Sequence, residues 1–245
     1  MNKSELEKFQ TVPLTLRWSV FALSVLVIAG CVTTSHDKGD STARSLERAA
    51  SEVQGQSRAL DLTMNSLNDL VNNPAPDLKP QYATFSRSLD QLEASAKRNA
   101  AAQTNVSRNA SAYFKAWETQ LDSVNYEVIR NQGQARRAEV KKSFEEVNQQ
   151  FHEAQSALMP LMDYLEDIRK SLGADLTVGG LQSVKGFLSN AQENAAKVQT
   201  ALGKVSTQLA SAETSFSSVL QTAKADGTNA PAATASPKSS EAKKQ

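Results

Sequence analysis

Few side chains in this chain are placed where they could do chemistry, and the clearest is Cys31, the single cysteine among 245 residues. A lone thiol closes no internal disulfide, so its use lies in nucleophilic attack or attachment. His36 and His152 stand apart with no second ligand at metal-binding spacing. Asp163, Glu166 and Asp167 fall on one helical turn, and Glu145 and Glu146 on another. Acidic groups at that spacing form a solvated face, and nothing beside them supplies the general acid and base of a hydrolase. No phosphate-cradling loop exists: Gly179-Gly180 runs into Leu181, and Gly203-Lys204 lacks the upstream glycine. No nucleophile elbow is found among the many serines. An enzyme is not expected, and no cofactor or metal is called for.

The surroundings of Cys31 explain its use. Residues 1–17 are polar and end in Arg17, Trp18 to Ala29 run apolar, and the run stops at Gly30-Cys31. A charged segment, an apolar segment and small residues before a cleavage point make an export signal. Ile28-Ala29-Gly30-Cys31 resembles the lipobox of bacterial lipoproteins. In those proteins the thiol takes up a diacylglyceryl group, cleavage frees the cysteine amine, and a fatty chain such as palmitate commonly joins it. The apolar run is short of the ~20 residues that cross a bilayer. Two or three acyl chains anchor firmly where one holds only marginally. Val32, rather than Asp, comes after the cysteine. By resemblance to Gram-negative lipoproteins, this implies the inner leaflet of the outer membrane, facing the periplasm.

Charge narrows the partners. Lys3, Lys8 and Arg17 oppose Glu5 and Glu7 in residues 1–30, out of 27 basic and 26 acidic side chains in all. The remainder is formally neutral, so nucleic acid is not an expected partner.

Everything after the signal reads as helix. Residues 31–40 form a polar tether, with Asp40 or Ser41 as the N-cap of the first helix. That helix, over about 41–72, carries Leu46, Ala50, Val53, Ser57, Leu60, Met64, Leu67 and Val71 on a seven-residue stripe. Asn72-Asn73-Pro74 ends it, and Pro80 opens the next. The second helix, about 81–172, is the organising element. Its stripe starts at Tyr82, Phe85, Leu89, Leu92 and Ala96, and passes the polar Asn99 and Gln103 before Val106, Ala110, Tyr113 and Trp117. It gains one residue across Leu121, Val124 and Val128, then runs cleanly from Val140 to Leu172. Gly133 and Pro160 are the expected weak points, Pro160 as a kink. Asp175 or Thr177 caps a third helix, about 178–223, striped from Leu181 to Ala223. Residues 224–245 have the composition of a disordered tail.

At 1.5 Å per residue the middle helix would reach ~135 Å, with each outer helix folded back on its own half. The expected fold is therefore all-α: an elongated antiparallel coiled coil of three helices, the middle one very long. The start of the first and the end of the last would meet near Tyr113 to Val128, making Tyr113, Phe114, Trp117 and Tyr126 a denser core. Because a two-helix hairpin buries little, self-association into a four-helix arrangement is a further expectation.

The wording Leu161-Met162-Asp163-Tyr164-Leu165-Glu166-Asp167-Ile168-Arg169, Leu172, Asp175-Leu176-Thr177 and Gly180-Leu181 resembles the bacterial family known as domain of unknown function 2959. That resemblance covers most of residues 40–222 and implies an exported, mostly helical protein, with no catalytic residues to carry over. The chain is more loosely similar to outer-membrane lipoproteins joined to peptidoglycan through a C-terminal lysine. Here Gln245 comes after Lys243-Lys244. The function expected is a lipid-anchored periplasmic coiled coil acting as envelope spacer, scaffold or partner-binding rod. Its contacts would be membrane lipid through acylated Cys31, itself, and an envelope protein or peptidoglycan. The alternative is an accessory subunit of an envelope transport or stress-response complex.

Overall fold

The computed structural model describes the backbone of Ser35–Gly227 and the side chains of residues 37–217. Among these residues the chain forms four α-helices and no strand: α1 (Ser35–Asn72), α2 (Lys79–Asp122), α3 (Glu127–Ala174) and α4 (Val178–Gly227). The all-α expectation holds, with one helix more than expected. The long middle helix of 81–172 is two helices, parted at residues 123–126.

The stripe shows why. Leu121 is the last α2 position that the core takes in, at 9% exposure, while Val128 is 71% exposed. The residue gained after Trp117 puts the later stripe out of phase, so a straight helix would aim the α3 seam away from the core. Reversal brings that seam back. The last turn of α2 tightens to three-residue spacing, with the Ser123 and Val124 N–H groups donating to the carbonyls of Gln120 (3.2 Å) and Leu121 (3.0 Å). Tyr126 is extended (φ −78°, ψ 112°) and launches α3.

Neither expected weak point interrupts a helix. Gly133 serves close approach, since a Cβ there would run into the Leu121 side chain. Pro160 sits inside α3 on its solvent side, and the helix continues through it. Helix α1 begins at Ser35, taking in the last six residues read as tether. Helix α4 extends to Gly227, a few residues into what reads as tail. The rest of that tail, and the signal segment, lie outside the described residues.

The four helices form a ring. Each packs on two neighbours, α1 on α2, α2 on α3, α3 on α4 and α4 back on α1, while the backbones of the diagonal pairs stay apart. Hydrogen bonds fix the directions. From α1 to α2 they run Ser41 with Asn109, Glu52 with Arg98, Thr63 with Ser88 and Asp69 with Gln81, descending on one helix as they climb the other. Between α2 and α3, Ser107 meets Asn148 and Glu118 meets Arg137. The result is an up-down-up-down bundle, whose 44-residue α2 is ~66 Å long. The outer helices do fold back on their own halves of the middle segment, which is itself folded in two. The extra layer expected from a second copy is thus supplied within one chain.

The α3 seam, Val140 through Leu172, and the α4 seam, Leu181 through Phe216, are buried at every position read from the sequence. In α1 the seam runs one residue earlier at alternate steps: Ala49, Gln56, Thr63 and Leu70 are buried, and Ala50, Ser57 and Met64 sit at its edge. Prolines and glycines set the ends. Pro80 lies in the first turn of α2. The Thr177 hydroxyl accepts from the Gly180 N–H (3.2 Å) and caps α4, with Asp175 accepting from the same hydroxyl (2.7 Å). At Gly180 a Cβ would collide with the Asp175 carbonyl, so only glycine fits that turn.

At the end where α2 turns into α3, Tyr113 packs edge-on against Phe216 with ring centres 4.9 Å apart, and Phe114 and Phe216 each pack against Phe144. The start of α1 and the end of α4 therefore meet α2 where expected. Tyr126 departs from that cluster and is 76% exposed. Burial pushes the Tyr113 phenol up from 10.0 to about 12. A raised phenol favours the folded state while it stays protonated, so this contribution is whole below pH 10 and lost as pH rises through about 12. We expect Tyr113→Phe to flatten the stability loss across that window in alkaline unfolding curves, and phenolate absorbance to lose its highest-pH step.

Candidate functional site

The residues singled out for chemistry are scattered. Ile28, Ala29, Gly30 and Cys31 lie outside the described residues. His36 falls in the first turn of α1, and His152 is exposed on α3. Most of the acidic groups serve ion pairs along the helices: Glu145 with Lys141 at 3.5 Å, Glu146 with Lys142 at 3.9 Å, Asp167 with Lys170 at 3.6 Å, and Glu166 with both Arg169 and Lys170, while Asp163 lines a groove between α2 and α3. Among the described residues no group of three or more His, Cys, Asp or Glu side chains could hold a metal ion.

What the structure does bring together is a groove of about 570 Å³ between α2 and α3. Its origin is side-chain size. Ala96 and Ala100, one turn apart on α2, face Ala154 on α3. Three methyls in a row leave space that Leu or Phe would have filled, and α2 and α3 form the sparsest of the four interfaces. Phe151 and Leu158 complete an apolar floor, and Met159 and Met162 stand along one edge, Met159 at 60% exposure. A groove with an apolar floor and flexible thioether edges accepts an apolar surface of variable shape.

Charged residues rim it. Glu93 and Lys97 pair at 2.6 Å on the α2 side. Across the groove, Arg169 bridges Asp90 on α2 (2.6 Å) and Glu166 on α3. Burial would lower the Arg169 guanidinium, but hydrogen bonds and charge from Asp90 and Glu166 outweigh it and leave it raised, a fixed cation at the groove end. The Tyr82 hydroxyl on α2 donates to the Arg169 carbonyl (3.1 Å) and ties the two helices together there.

Beneath the groove sits a polar layer. Asn99, read from the sequence as a polar seam residue, is buried and donates its amide to Gln56 on α1, also buried. Its side-chain oxygen has no partner among the described residues. Gln103, the second such residue, is half-buried on the groove wall. Gln56, Thr63 and Ser95 are seam residues that periodicity misses. The two hydroxyls are accounted for: Thr63 lies within reach of the Ala59 (2.8 Å) and Ser88 (3.0 Å) carbonyls, and Ser95 donates to the Leu92 carbonyl (2.7 Å). Only the Asn99–Gln56 pair depends on another polar side chain.

The helical pattern of α1 to α4 is matched by one known family over residues 32–218, described as protein of unknown function (DUF2959). The chain belongs to that family. The match takes in the whole bundle from α1 through the aromatic end of α4, as the resemblance around Leu161 to Leu181 implies. No curated protein and no solved structure matches. For this DUF2959 member, then, the groove and the polar layer under it rest on geometry alone.

That geometry fixes an energetic expectation. Gln56→Leu removes the acceptor and strands the Asn99 amide in the core, costing ~1–3 kcal/mol. Adding Asn99→Leu removes the stranded group, and the double variant should regain most of the loss in urea unfolding. A double variant no more stable than the single one contradicts the account.

Proposed function

We propose that the protein is a lipid-anchored scaffold of the bacterial envelope that holds a partner against its helical bundle and performs no reaction. Its seat is the periplasmic face of the outer membrane, with Cys31 carrying the anchor. Ile28-Ala29-Gly30-Cys31 behind an apolar run supports the anchor. The observation that carries partner binding is the groove between α2 and α3, a concave apolar surface of ligand-site size on an otherwise charged, closed bundle. Its length along both helices fits an amphipathic segment of another envelope protein, laid lengthwise with apolar residues on Ala96, Ala100 and Leu158. A ~66 Å bundle supports the scaffold reading over that of a long spacer. The accessory-subunit alternative is the same geometry with a larger complex as partner.

Two expectations test this. Cys31→Ser should move the protein from the membrane fraction to the soluble or unprocessed pool, with its mass lacking acyl chains. A Cys31→Ser variant that stays with the membrane like the wild type would remove the anchor. Ala100→Arg should abolish crosslinked capture of an envelope protein while leaving thermal unfolding within a few degrees, because Ala100 is exposed on the groove wall. Capture unchanged by Ala100→Arg would take the groove out of the reading.

A further inference from the structure

The α2–α3 turn exposes apolar surface that the bundle does not need. Tyr126, Val128 and Ile129 are 76%, 71% and 57% exposed. They are three of the few large apolar side chains left open among the described residues, and they fall within four positions at a helix–helix tip. The tip is held in shape. Ser123 donates through its hydroxyl to the Gln120 carbonyl (2.6 Å), and the Arg130 guanidinium donates to the Val124 carbonyl (3.2 Å) across the turn.

Its position relative to the chain start gives it meaning. Asn109 meets Ser41, so α2 runs thirteen residues past that contact to Asp122, while α1 runs only six back to Ser35. At 1.5 Å per residue the turn projects ~10 Å beyond the start of α1. Cys31 lies four positions before Ser35, a reach of at most ~14 Å. A lipid anchor at Cys31 therefore places a bilayer surface within range of the tip. We propose that the α2–α3 turn is a second membrane contact, in which Tyr126, Val128 and Ile129 seat in the lipid surface that holds Cys31. The proposal rests on the reading of Cys31 as the lipid attachment.

The chemistry of the tip selects this occupant. A tyrosine beside two branched aliphatic side chains suits the headgroup boundary, where an apolar ring with a polar end is stable. Three side chains offer far less area than a stable dimer buries, so a second copy is a poor occupant. A surface made two-dimensional by an existing anchor needs no large contact, because tethering already supplies a high effective concentration. Asp122 and Glu127 flank the tip, and Arg130 is committed to a carbonyl. The contact is therefore apolar, and it should survive in zwitterionic vesicles and at high salt.

The test uses the acylated full-length protein in zwitterionic phospholipid vesicles. Acylation blocks Cys31, so Val128→Cys, Tyr126→Cys and, at the opposite end, Asp77→Cys each provide one labelling site for an environment-sensitive dye. Dyes at 126 and 128 should shift to the blue and be quenched by lipids brominated in their acyl chains, with no change at 77. Dyes at 126 and 128 that report water while the protein stays in the vesicles, with Cys31 unreactive, overturn the tip contact and leave the anchor standing. A free, labelling Cys31 and a protein that does not incorporate overturn both. Disulfide-linked copies through Val128→Cys, without lipid quenching, assign the tip to self-association and overturn the proposal.

Discussion

An amphipathic helix in water is stable only when something covers its stripe, and this fold depends on how that covering is arranged. Each of the four stripes is wide enough to need two neighbours. The reversal at residues 123–126 meets that need within one chain: it lays the α1–α2 hairpin beside the α3–α4 hairpin and closes a ring, with Tyr113 and Phe216 reaching across its diagonal. Leu121 tucked against Gly133, and Arg137 reaching back to the Phe114 carbonyl (3.1 Å) and Glu118 (3.0 Å), hold the reversal shut. Once it is set, the register of every other pair is determined, because the connections at 73–78 and 175–177 are too short to allow a slip of a full turn.

Against that closed ring the α2–α3 side is the exception. Ala96, Ala100 and Ala154 sacrifice buried area, and the layer below places Asn99 and Gln56 at two core positions. A polar pair in a helical core lowers stability and fixes register. Here it also keeps the floor of the groove from collapsing into a continuous apolar seam. The ion pairs at the rim, partly exposed, add little to stability, but Asp90 and Glu166 set the orientation of Arg169.

Much of this is legible in the order of residues alone. The clean period from Val140 to Leu172 and from Leu181 onward names the buried positions of α3 and α4, because Phe, Leu and Val at seven-residue spacing leave one solution. The break shows as a one-residue phase gain after Trp117, yet Gly133 and Pro160 draw the expectation, being residues that usually interrupt helices. A tightened last turn needs neither, and a proline on the solvent side of a long helix is tolerated. In α1 the adjacent Ala49 and Ala50 leave two seams equally apolar, and periodicity favours the one avoiding Gln56 and Thr63. A partner for Gln56 exists in Asn99, forty-three residues away, and single-helix periodicity cannot see across helices. The groove is illegible for the same reason. It arises from small residues facing each other on two helices, and alanine in one stripe looks like ordinary core.

One interface of the ring differs in kind from the rest. Three of the four join helices consecutive in the chain and close through tight loops, so they can form as soon as each hairpin exists. The α1–α4 interface instead pairs residues 142 and 138 apart, through Gln199 donating to the Ser57 carbonyl (3.1 Å) and reaching Asp61 (2.6 Å). It is the last to be available when the chain emerges from its N-terminus, and until then α1 and α3 each show an uncovered flank. The final helix is thus a latch: the barrel of helices shuts when α4 is in place and Gln199 reaches Ser57 and Asp61.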